Sequence, residues 1–163
     1  INLDRHTAGT DGRNLEISYN DISEFGMLST DWGAIYVCCH INLEGGSINH
    51  NWIHDAQSFS PFWGTRGIYL DLETFNSTVH HNVVWNLNGS DHNYGIVAGS
   101  PRGYDRVFNN TFLGKVWLEG ENVEARNNIF ASLYHPTSFA NKFKFNTQQY
   151  GNRRIIYGGR RCQ

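Results

Sequence analysis

Two carboxylates stand at matching ends of strand-like phrases: Asp71 closes "GIYLD" and Glu119 closes "KVWLE". A fixed pair of acids can work on a glycosidic bond, one protonating the leaving oxygen while the other activates water. Aligned on their apolar residues, the phrases put Cys38, Asp71, Gly99 and Glu119 in one column and Tyr36, Tyr69, Val97 and Trp117 in the column beside it. If successive phrases stack as parallel strands about 4.8 Å apart, Asp71 and Glu119 are separated by roughly 9–10 Å before side-chain reach is counted. That lies near the long end of the spacing for an inverting mechanism, and Gly99 leaves room for a ring between them. Tyr36, Tyr69 and Trp117 are expected to face outward and to pack the C–H face of a sugar, whose hydroxyls then take polar partners. The alternative is that the insertion 55–66 folds over this face and buries the rings. Exposed carboxylates on a strand are also ordinary solubility groups.

The elements that must hold these residues are written in a repeat. "NLEISYNDIS", "GGSINHNWIH", "NSTVHHNVVW", "YDRVFNNTFL" and "NVEARNNIFA" align on Asn20, Asn51, Asn82, Asn110 and Asn128, at intervals of 31, 31, 28 and 18 residues. Ile17, Ile48, Val79, Val107 and Ala125 lie three places before that column, and Ile22, Ile53, Val84, Phe112 and Phe130 two places after it. The phrases carrying Ile35, Ile68, Ile96 and Val116 add a second strand to most units, with the period-2 alternation of a half-buried strand. Units that cannot close a core alone must stack on one another. Inward apolar columns then form the core. The asparagines become a scaffold ladder, whose amides satisfy polar groups that stacking would otherwise bury.

Composition agrees with strands and turns: 17 Gly, only 3 Pro and 14% aromatic residues. No amphipathic helical spacing runs beyond about three turns. No apolar run is long enough for a membrane helix, and the start does not resemble a signal peptide. The net charge of −2 conceals an asymmetry, because all 15 acids lie at or before Glu124 while the seven last basic residues follow it. This reads as a solvated basic tail rather than a nucleic-acid footprint, since no phosphate-cradling loop and no basic–aromatic module accompanies it. Three cysteines, with Cys38 and Cys39 adjacent, make neither a disulfide framework nor a zinc-ligand spacing, and on a strand that pair would point to opposite faces.

"GSINHNWIHDA" and "GIYLDLETFNSTVHHNVVWN" make the stretch from about Asn14 to Ala131 resemble the right-handed parallel β-helix proteins found among polysaccharide lyases and glycosidases. The fold expected is therefore all-β, a right-handed parallel β-helix (solenoid) of about five coils over 1–131. Residues 132–163 form an irregular C-terminal segment that caps it, with "SFANKFKFN" and "RRIIYGG" as irregular strands. So few coils point to a fragment of a larger β-helix protein, or to ends covered by partners or by the remaining coils of a larger chain.

"GIYLD" is similar to the strand that presents an aspartate nucleophile in β-helix glycosidases of the β-xylosidase type, which implies that role for Asp71. The next coil of that family offers a glutamate, whereas here it reads "GIVAGSPRG". Asp91 in "NGSDHNYG" is the nearest substitute, and Asp31 in "STDWG" is another. The expectation is a secreted or cell-surface glycoside hydrolase without a cofactor, acting on a polysaccharide. Export follows from the company this fold keeps and from "NST", "NGS" and "NNT", which are glycosylation acceptors in a eukaryotic source. A lyase acting on a uronate polymer is the alternative. It would draw on His50, His80, His81 and Tyr19 beside the ladder, on Arg66 and Arg102 flanking the first strands of neighbouring coils, and on a cation such as Ca²⁺. His54 and Asp55 share a corner and either bind a metal or close a turn. A third reading is a tailspike-like solenoid that binds glycan through Tyr36, Tyr69 and Trp117 without turnover.

Overall fold

The computed structural model describes residues 1–4, 11–58, 64–89, 92–99, 103–118, 122–134 and 146–149. Fourteen strands and no helix are found among them: β1 (Asn2–Asp4), β2 (Glu16–Ser18), β3 (Asp21–Ile22), β4 (Trp32–Cys38), β5 (Ser47–Asn49), β6 (Trp52–Gln57), β7 (Thr65–Leu70), β8 (Thr78–His80), β9 (Val83–Asn88), β10 (Tyr94–Ala98), β11 (Asp105–Phe108), β12 (Thr111–Leu118), β13 (Val123–Tyr134) and β14 (Asn146–Gln149). Every strand pairing is parallel, and all strands join one sheet.

The sheet resolves into three strand stacks visited in rotation. β2, β5, β8, β11 and the start of β13 form one. β3, β6, β9, the start of β12 and the middle of β13 form the second. β1, β4, β7, β10 and the ends of β12 and β13 form the third. The register reproduces the sequence columns. Ile17 pairs with Ile48, Ile48 with Val79, Val79 with Val107 and Val107 with Ala125. Ile35, Ile68, Ile96 and Val116 pair in the same way. These residues are buried in a single apolar cluster enclosed by the three stacks. β13 runs past Ala131 to Tyr134, and β14 adds a further parallel strand to it, so ordered pairing continues into the segment expected to be irregular. "RRIIYGG" and most of "SFANKFKFN" lie outside the described residues.

The asparagine column is a continuous hydrogen-bonded ladder. Asn20, Asn51, Asn82 and Asn110 each donate Nδ2–H to the Oδ1 of the next asparagine at 2.8–3.0 Å, and each backbone N–H donates to that same oxygen at 2.9–3.1 Å. The residue before each ladder asparagine is left-handed: Tyr19, His50, His81, Asn109 and Asn127 have φ between 52° and 57°. This corner turns the chain from one stack into the next and frees backbone groups, which the amides then satisfy.

One expectation is overturned at Cys38 and Cys39, which form a vicinal disulfide. Adjacent residues point to opposite faces only while the strand continues. β4 ends at Cys38, and Cys39 and His40 turn left-handed with φ of 72° and 65°, so the two sulfurs come round to the same side.

A buried acid appears where the repeat has no fixed residue type. Asp105 is fully buried; its Oδ1 accepts hydrogen bonds from the Ser77 N–H and Oγ–H, while Oδ2 finds no partner. Burial pushes its carboxyl up to about 6, against the opposing pull of the Ser77 bonds. The unfolded chain ionises this group near 3.8, so its contribution to stability is complete below that value and is lost as pH rises through about 6. A shift of this size corresponds to roughly 3 kcal/mol. His54 acts in the same direction, because its hydrogen bond to Asp55 is the largest of the effects raising it above 6.5, and that contribution fades as pH climbs through the folded value. Asp55 opposes both at the acid end. Asn86 and then His54 lower it below 3.8, so its stabilisation is lost as pH falls through the folded value. Urea midpoints are therefore expected to fall between pH 4.5 and 7.5, and Asp105→Asn to remove most of that fall. An unchanged pH slope in the variant would refute the assignment to Asp105.

Candidate active-site groove

The column beside the core on the third stack carries the residues expected to do chemistry. Tyr36 pairs with Tyr69, Tyr69 with Val97 and Val97 with Trp117, as the alignment required. Beside them, Tyr69, Asp71, Leu72, Glu73, Val97, Gly99 and Trp117 line an open cavity of about 370 Å³. Gly99 has φ of 141°, a conformation that side-chain-bearing residues rarely adopt, so glycine serves the backbone there as well as leaving space.

Asp71 is held firmly. Its Oδ1 accepts the Leu72 N–H at 2.8 Å and its Oδ2 accepts the Tyr36 hydroxyl at 3.1 Å. The tight turn that follows is pinned to the neighbouring rung: Asp71 N–H and Thr74 Oγ–H both donate to the Val37 carbonyl, and His40 N–H donates to the Leu72 carbonyl. His40 Nδ1 also lies 3.2 Å from Glu73 Oε2, so the turn carrying the vicinal disulfide braces one rim of the groove.

The tyrosine column is less open than expected. Tyr69 is only 8% exposed, whereas Tyr36 is half-buried and its ring tilts against that of Tyr69 at 5.2 Å. Arg66, expected to reach substrate, is instead 3% exposed. Its Nη1 pairs with Asp31 Oδ1 at 2.9 Å and donates to the Gly64 carbonyl, and its guanidinium lies 4.6 Å from the centre of the Tyr69 ring. Carboxylate, carbonyl and ring face together replace most of the water a charged group loses at this depth, while Nε–H is buried without a partner among the described residues. Arg66 thus supports the groove from beneath. Burial and the nearby Asp71 charge push the Tyr69 phenol far above its ordinary range, which keeps it a neutral hydrogen-bond donor. It donates weakly to Asp31 at 3.5 Å. Asp31 therefore belongs to the same cluster as Asp71, through two tyrosines in contact. Asp91, Glu119 and Arg102 lie outside the described residues.

The histidines expected beside the ladder form ring stacks. Tyr19 lies on His50 at 4.9 Å and His50 on His81 at 5.0 Å, both nearly coplanar, while His80 stacks on Phe108 at 5.1 Å. Burial, reinforced by the charges of His81 and His50, lowers the His80 pKa. His54 bridges two carboxylates, with Nδ1 2.7 Å from Asp55 Oδ2 and Nε2 2.8 Å from Asp21 Oδ1, and its ring rests on Trp85. Asp55 is a left-handed residue within β6 and also accepts from Asn86 Nδ2, so this pair ties a corner together. Among the described residues no group of three or more His, Cys, Asp or Glu is arranged to hold a metal ion.

Neither protein-family models, nor curated proteins, nor solved structures give a significant match to the chain.

Proposed function

We propose that the protein is a secreted or cell-surface right-handed parallel β-helix of about five coils that hydrolyses a polysaccharide in the Asp71 groove. The observation that carries this reading is one cavity lined by a doubly hydrogen-bonded carboxylate, two aromatic side chains and a glycine. That is the composition a sugar-cleaving cleft needs: an apolar face for the ring, an oriented acid for proton transfer, and space for the pyranose.

In this reading Asp71 takes a proton from the attacking water as the water oxygen bonds to the anomeric carbon. Glu119, which follows the Leu118 that pairs with Ala98, gives its proton to the departing glycosidic oxygen as the C–O bond breaks. The products are a sugar with inverted anomeric configuration and a free hydroxyl on the leaving chain. Tyr36 orients Asp71, while Arg66 and Asp31 hold Tyr69 in place.

The test is a product assay on xylan, arabinan, glucan and polygalacturonate, following reducing ends together with ultraviolet absorbance. Reducing ends without absorbance are expected. Absorbance from unsaturated ends would replace hydrolysis with elimination and transfer attention to the histidines, and silence on every polymer would refute catalysis.

A further inference from the structure

A second aromatic site lies at the corner between the first and second strand stacks, away from the Asp71 column. Tyr19, Asn20, Asp21, His50, Trp52 and His81 line an open hollow of about 470 Å³. Tyr19 and Trp52 are 77% and 58% exposed, among the most open large apolar side chains described. Trp52 pairs in register with Asp21, so the carboxylate stands one rung from the indole. Among the described residues only Oδ1 of Asp21 is engaged, by His54, and Trp85 meets the Trp52 ring edge-on at 6.3 Å.

The backbone supplies an independent reason to look here. The corner position before each ladder asparagine is left-handed, a conformation that asparagine and histidine accept more readily than tyrosine. Two of the five copies use Asn109 and Asn127, as the geometry favours. Tyr19 alone places a ring there against local preference, while His50 and His81 are of a type this region accepts, and a departure from a local rule at an exposed aromatic residue is a reason to look for a function.

We propose that this corner is a carbohydrate-binding subsite, separate from the cleavage groove, which takes one pyranose unit of a polysaccharide. The proposal rests on the glycan reading above. The C–H face of the sugar lies on Trp52 and Tyr19, and its hydroxyls donate to the uncommitted Asp21 oxygen and to Asn20 Oδ1, whose amide hydrogens are taken by Ser18 and Asn51. The hollow lies at the low end of the range for small-ligand sites, which suits one sugar ring better than several. A polymer anchored here would feed its free length to the groove.

The experiment measures affinity electrophoresis of the full chain, carrying Asp71→Asn so that no substrate is consumed, in gels containing xylan, arabinan, hydroxyethyl cellulose or polygalacturonate. The parent is expected to be retarded by at least one polymer. Adding Tyr19→Ala and Trp52→Ala should weaken that binding at least tenfold, while Trp52→Phe, which keeps a ring, should stay within threefold. A control independent of any variant's folding uses N-bromosuccinimide on the unaltered chain: Trp52 should oxidise readily, and the retarding polymer should protect it. Unchanged retardation in the double variant, loss caused instead by Trp117→Ala, or unprotected Trp52 would each overturn the proposal, as would a parent that binds none of the polymers. A chain that binds through this corner yet releases no reducing ends would refute the hydrolase reading and leave this one standing.

Discussion

On the hydrolase reading proposed above, Asp71→Asn is expected to leave a protein that binds a polysaccharide substrate within about threefold of the wild type and turns it over on the order of 10²–10⁴ times more slowly. The amide has the shape of the carboxylate. Its Oδ1 can still accept the Leu72 N–H, and its Nδ2 can donate to the Tyr36 oxygen in place of the bond that Oδ2 accepts now. What the amide cannot do is take a proton from water. The cost should therefore fall on kcat, with KM nearly preserved, because the lost interaction is one made only in the transition state. Initial rates of reducing-end release over a range of polymer concentration separate the two parameters. A variant that keeps more than a tenth of the wild-type kcat would remove Asp71 from the chemistry and leave it as the cap of its turn.

The largest effect on stability is expected from Asn82→Ala. Asn82 is fully buried at the centre of the ladder, where its Oδ1 accepts from both the backbone and the side chain of Asn51, while its Nδ2 donates to the Ile48 and His80 carbonyls and to Asn110. Alanine leaves the Asn51 N–H without a partner and strips one bond each from Asn51 Nδ2, the Ile48 carbonyl and Asn110 Oδ1, in an interior that water does not reach. Each orphaned group costs about 1–3 kcal/mol, so the variant should lose roughly 3–5 kcal/mol. Asn20→Ala is the internal control. Asn20 is half-buried at the end of the column and only donates along it, so its loss should cost less than about 1 kcal/mol. Urea unfolding of both variants checks the ratio; equal losses would mean that the ladder is ornamental and the apolar columns alone hold the stacks.

The ladder and the three apolar columns could be read from the sequence because a stacked repeat writes the same physical demand at a constant offset, and Ile17 through Ala125 meet it at every rung. The pairing of Tyr36 with Tyr69 and of Val97 with Trp117 followed for the same reason. Features belonging to a single rung could not be read in this way. Asp105 sits in a column whose neighbours are Ser77 and Val123, so no consensus exposed it as the odd buried acid. Arg66 carried a charge that suggests solvent, and only the side chains converging on it from other rungs explain its burial. The vicinal disulfide depended on a strand ending one residue earlier than alternation assumed.

The ladder also has a polarity. Each side-chain amide hydrogen points from the earlier asparagine toward the later one, from Asn20 to Asn128, so the amide dipoles add head to tail along the stack instead of cancelling. Among the described residues no group donates to Asn20 Oδ1, and that end presents a bare acceptor. Two copies abutting through their Asn20 ends would set acceptor against acceptor. Only a head-to-tail neighbour, with an amide hydrogen facing the Asn20 end, can continue the array, so the side-chain column dictates the direction in which this scaffold can be lengthened.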